Sequence, residues 1–121
     1  MKSQIVSGIL LTALLCGAAN GECVYPRAPS GTPDGMTATQ EEMLAGMEAV
    51  KQYNAQVTEY LECLDKETAA RIEAAGPDAA AEQIAQIKSI HSKRHNAALE
   101  ELEAHAARFN EQVKAFKARD D

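Results

Sequence analysis

The residues with the clearest capacity for chemistry are His91 and His95, spaced i, i+4 so that on a helix their rings meet on one face. Imidazole pairs at this spacing chelate zinc, copper or nickel when a third and a fourth ligand join them. His105, the remaining histidine of three, lies about 15 Å further along a helix, too far to complete the same site. The alternative reading is structural. All three histidines fall in one apolar stripe, Ile84, Ile87, His91, His95, Ala98, Leu102, His105, Phe109, Val113 and Phe116. Its mean step of about 3.56 residues is helical and close to a coiled-coil period. In that reading the rings are half-buried and bonded to polar groups of a facing helix.

The other reactive type is cysteine, at positions 16, 23 and 63. The chain opens with Met1-Lys2, an apolar run from Ile5 to Leu15, and small residues Gly17-Ala18-Ala19-Asn20-Gly21. This is the pattern of a secretory signal peptide over residues 1–21, cleaved after Gly21 or after Ala19. Cleavage removes Cys16 and leaves Cys23 and Cys63. An even count in an exported chain reads as a disulfide, and two thiols allow one intramolecular pairing. An intermolecular bridge and a redox pair are the alternatives, although no CxxC spacing is present. With both cysteines paired and no Ser in a motif, no nucleophile–base couple can be assembled. The expectation is a non-enzyme without a cofactor.

Charge narrows the partners. The whole chain carries a formal net charge of −6. Without residues 1–21 it has 11 basic against 18 acidic residues, a net −7. Nucleic acid and anionic lipid would repel such a chain, so the expected partners are an envelope protein or a second copy. The apolar run is too short for a lasting membrane span, so no stable insertion is expected after cleavage, and the expected location is periplasmic or secreted.

These residues are positioned by two helices. From Thr39 to Phe116 the only turn signal is Gly76-Pro77. Gly ends a helix, Pro cannot continue one, and Asp78 can cap the next. The expected fold is all-α: an antiparallel, coiled-coil-like two-helix hairpin over residues 39–121, with helices at about 39–75 and 78–118. Thr39 and Glu42 fit a capping box, and Thr37 with Gln40 forms a competing one. The first helix carries a stripe of Met43, Met47, Val50, Val57, Leu61, Leu64 and Ile72. Gly46 lies near it and suits close approach of a bulky residue such as Phe109. A corner of two or three residues makes facing numbers sum to roughly 153, which places His91 near Glu62 with Glu59 close by. A hairpin of this composition buries little apolar surface and is expected to need a staple or a partner. Leu44, Leu99 and Ile90 lie off the stripes, so some apolar surface is left on the flanks.

Residues 22–38 contain Pro26, Pro29 and Pro33 with Gly31 and Gly35. They read as an extended arm, closed by a turn at Pro33-Asp34-Gly35. On the first helix Cys63 points about 200° from Met43, with Tyr53 and Tyr60 at about 280° and 260°. The arm can therefore start at a Cys23–Cys63 bond and run along the back of the helix, docking Val24, Tyr25 and Pro26 on Tyr53 and Tyr60. The segments Cys23-Val24-Tyr25-Pro26, Pro33-Asp34-Gly35, Ala38-Thr39-Gln40-Glu41-Glu42-Met43, Val50-Lys51-Gln52-Tyr53 and Tyr60-Leu61-Glu62-Cys63 resemble a group of small exported proteobacterial proteins. The resemblance covers residues 23–67. It implies export and paired cysteines, and it carries no activity with it. Two functions are compatible with all of this. One is a non-enzymatic exported protein acting by protein–protein interaction or self-association in the cell envelope. The other is periplasmic transition-metal binding or sensing through His91 and His95.

Overall fold

A computed structural model describes residues 22–119 of the chain; the leader read at residues 1–21 lies outside them. Two helices make the body, α1 (Gln40–Ala75) and α2 (Ala81–Ala118), packed on each other as an all-α hairpin. The start of α1 uses the Thr39 box. The Thr39 hydroxyl accepts from the Glu42 N–H at 3.1 Å, and Glu42 Oε2 accepts from the Thr39 N–H at 2.8 Å. Two amides that helix geometry leaves unpaired are thereby satisfied. Gly76 ends α1 with φ at 81°, a backbone region that L side chains rarely adopt.

The start of α2 differs from expectation. Asp78 does not cap it. Gly76 to Ala79 form a turn, closed by the Ala79 N–H donating to the Gly76 carbonyl at 3.2 Å, and Asp78 is spent inside that turn. Ala80 occupies the cap position with extended dihedrals and no side-chain hydrogen bond. The corner is longer than expected, α2 begins at Ala81 rather than 78, and the register slips accordingly. Asp65, not Glu62, faces His91; Tyr53 faces His105.

The arm, residues 22–38, makes no regular secondary structure before the turn at residues 35–37. Cys23 is bonded to Cys63, with Cα atoms 5.7 Å apart. At the other end, the Asp34 carbonyl accepts from the N–H groups of Thr37 and Ala38, and its side chain accepts from the Met36 N–H. The Gly35 N–H donates to Gln112 Oε1 at 2.8 Å. Arg119 donates to the Gly35 and Ala38 carbonyls and lies over the Phe116 ring at 4.4 Å. The arm is thus held by a covalent bond at one end and by α2 at the other.

The core is built in two patches. One joins Tyr53, Val57, Tyr60 and Leu64 of α1 to Ala98 of α2, with Cys23 and Ala28 of the arm against it. The second joins Ala38, Met43 and Phe109, flanked by Val50, Val113 and Phe116. The buried side of α1 is therefore rotated toward the tyrosines relative to the expected stripe. Tyr53 is only 2% exposed, whereas Met47 is 40% exposed. The cause is the third layer: once the arm lies over the tyrosines, their flank becomes interior, and burying rings of that size outweighs keeping a methionine covered. Gly46 does face Phe109, and a Cβ there would come within 2.8 Å of both the Phe109 ring and Pro33.

Candidate functional site

The docking residues expected from sequence come together at the staple. Pro26 is buried. The Tyr25 ring meets Tyr60 edge to face at 5.2 Å between centroids, and its hydroxyl donates to Glu101 Oε2 at 2.6 Å. That bond to a carboxylate holds the phenol proton and, with some burial, pushes the Tyr25 pKa up to about 12. Tyr53 is sandwiched between arm and α2, its ring edge-on to His105 at 5.6 Å. Burial, and the nearby Glu101 charge, raise its pKa as well. Its hydroxyl has no hydrogen-bond partner among the described residues. Val24 departs from expectation. It is 84% exposed and stands at the edge of the depression beside the staple rather than on the tyrosines.

An open depression of about 600 Å³ lies beside the staple, lined by Cys23, Tyr25, Arg27, Glu59, Tyr60 and Cys63. Its two sulfurs are bonded to each other, so it offers rings and surface charges but no thiolate nucleophile.

The histidines are divided. His105 is buried in the helix interface. His91 and His95 lie together with ring centroids 5.7 Å apart, and His91 Nε2 donates to Asp65 Oδ1 at 2.8 Å. Among the described residues no group of three or more His, Cys, Asp and Glu side chains is arranged to hold a metal ion. One turn away Glu67 accepts from Arg94 at 3.2 Å and from Arg71 at 2.6 Å. This region therefore reads as a polar latch across the closed half of the hairpin, made by groups that the expected register did not bring together.

At the open end, Gln40, Met43, Leu44 and Met47 of α1 face Phe109, Val113 and Phe116 of α2 across an apolar groove of about 210 Å³. Leu44 is 52% exposed there. The off-stripe position of Leu44 was the sequence signal for a contact surface here, whereas Met43 and Met47 read as part of the core stripe. Phe116 and Val113 carry no such signal, since in the stripe they are indistinguishable from core.

The groove can grip an apolar side chain and has no group able to donate or take a proton in a reaction. Among the described residues no helix is long and apolar enough to cross a membrane. No protein-family model, curated protein or solved structure matches the chain.

Proposed function

We propose that this chain is an exported, non-enzymatic helical protein that works by binding, in the periplasm or outside the cell, through the apolar groove at the open end of its hairpin. The observation that carries the reading is the contrast of exposure there. Leu44 and Met47 stand in solvent beside the buried Phe109 and the half-buried Phe116, although the same chain lays a whole arm over the other flank. Methionine and leucine on a shallow groove make an adaptable surface for helices or loops of another protein. The disulfide is compatible with an oxidising compartment.

The test is site-specific photocross-linking in the producing cell, with benzoylphenylalanine in place of Met47 and, as control, in place of Val24. A discrete adduct from position 47 and none from position 24 is the expected result. Equal labelling at both positions, or none at 47, removes the binding role from the groove.

A further inference from the structure

The arm divides the hairpin into two faces. Gln112 of α2 reaches the arm, whereas Val113, about 100° further round the helix, lines the open groove. The face that the arm leaves bare therefore runs through Leu44 and Met47 on α1 and Val113 on α2. Beside the groove α1 carries two acids and α2 two lysines, while exposed Lys51 of α1, one turn beyond Met47, and exposed Glu111 of α2 carry the other sign. Glu41 and Glu48 lie one turn either side of Leu44. Lys117 lies one turn beyond Val113, with Lys114 beside it, and these two acids and two lysines are exposed. Among the described residues Lys114 is engaged with Glu111 at 3.3 Å, a pair exposed enough to contribute little and to exchange readily.

We infer that the occupant of this face is a second copy of the chain, docked face to face about a two-fold axis that runs along the hairpin. The inference rests on the binding role assigned to the groove and names its partner. Symmetry selects the axis. A two-fold axis along the hairpin lays α1 of one copy over α2 of the other at the same level, so Glu41 of each protomer meets Lys114 and Lys117 of its mate. A two-fold axis across the hairpin lays α1 on α1 and brings acid to acid. In the first arrangement the groove meets its own image, Leu44 on Val113 and Val113 on Leu44, as a self-complementary interface requires. The result is a four-helix layer with the two arms outside. Helices of 36 and 38 residues give a hairpin face roughly 54 Å long, of which the apolar groove takes the open end.

Sedimentation velocity on the full chain with its disulfide formed, from ~5 to ~500 μM, reads the association directly. The expected result is a mass rising toward that of two copies. Leu44→Glu is expected to weaken association at least ~tenfold, while Val24→Glu on the arm side leaves it unchanged. Circular dichroism must show both variants folded, and the half-exposed position of Leu44 keeps it out of the core. A second arm tests the axis. A Glu41→Lys chain mixed with a Lys114→Glu/Lys117→Glu chain is expected to pair more tightly than either does with itself. A monomer at every concentration, a dimer indifferent to Leu44→Glu, or charge-swapped chains without preference for each other overturns the inference. If position 47 still cross-links to a different protein while the chain stays monomeric, the binding role stands and the second copy is wrong. If it cross-links to nothing, the role itself falls.

Discussion

The two flanks of the hairpin begin with similar resources and end differently. On one, Tyr53 and Tyr60 project from α1, and seventeen residues of proline-rich arm come down over them. On the other, Leu44 and Met47 project from the same helix and remain in water. The first flank is interior: Tyr53, Val57, Tyr60 and Leu64 are each 4% exposed or less. The second is a groove. A two-helix unit has too little volume to bury both flanks, so a thin third layer decides which becomes core. The arm can serve as that layer without any secondary structure because its ordering cost is reduced in advance. Prolines restrict its unfolded conformations and the disulfide restricts its end.

The sharpest way to break the comparison is to release the arm. Replacing both Cys23 and Cys63 with Ser opens a loop closed across a sequence separation of 40 residues. The chain-entropy estimate for such a loop is ~4 kcal/mol. Urea unfolding followed by circular dichroism should show a loss of about that size, and tyrosine fluorescence should report exposed rings before the helices melt. If the midpoint is unchanged, the arm is held by its packing alone.

Next in size is Gly35→Ala. A Cβ at that position would run into the Gln112 carbonyl and lie 2.9 Å from the Phe116 amide nitrogen, both backbone atoms of α2 that cannot rotate aside. The turn would have to move off the helix, giving up the Gly35–Gln112 bond. A loss of about 2–3 kcal/mol is expected, at the upper part of the overpacking range. Gly31→Ala is the control, since nothing lies within 4 Å of a Cβ there. Equal effects of the two would show that the turn does not depend on close approach.

An alkaline titration sharpens the comparison without mutation. Tyr25 is raised from its ordinary 10.0 to about 12, chiefly by its hydrogen bond to Glu101. A phenol whose folded pKa lies above the unfolded value keeps its proton in the folded state while the unfolded chain loses it. Its contribution is therefore complete below about 10 and disappears as pH rises through about 12. Absorbance at the tyrosinate band should show Tyr25 titrating late, alongside the buried Tyr53 whose pKa is also raised, and arm detachment should follow the Tyr25 curve. Tyr25→Phe should remove the Tyr25 part of that late titration and leave the part from Tyr53. A Tyr25 that ionises near 10 would show that the Glu101 bond is not formed.

The smallest expected effect has the opposite sign. The Tyr53 hydroxyl is buried without a hydrogen-bond partner among the described residues. Leaving such a group unsatisfied costs about 1–3 kcal/mol, so Tyr53→Phe should be neutral or stabilising by up to ~1 kcal/mol. A clear loss in the urea midpoint would mean that the hydroxyl has found a partner, water included.

The elements that sequence settled alone are those decided within a few residues. Gly76 next to Pro77 stops α1 wherever the rest of the chain lies. Thr39 and Glu42 cap it through bonds between residues three apart. The Cys23–Cys63 bond followed from counting the two cysteines left after the leader read at residues 1–21, and the Gly46–Phe109 approach needed only that the hairpin close. The features that escaped it depend on position across the hairpin. The corner took up Asp78 as a turn residue, and three more residues before α2 were enough to give His91 to Asp65 instead of Glu62. Glu101 under Tyr25, and Arg119 beneath the turn, are surface charges by pattern; each acquires its role because the arm passes over it. The sequence pattern put Met47 in the buried stripe and Tyr53 under the arm, but it did not show that the arm's flank would be the more deeply buried of the two. Local bonding and backbone conformational preference are short-ranged and can be read along the chain, whereas burial is a property of what comes to lie on top, and that was decided only when the arm folded down.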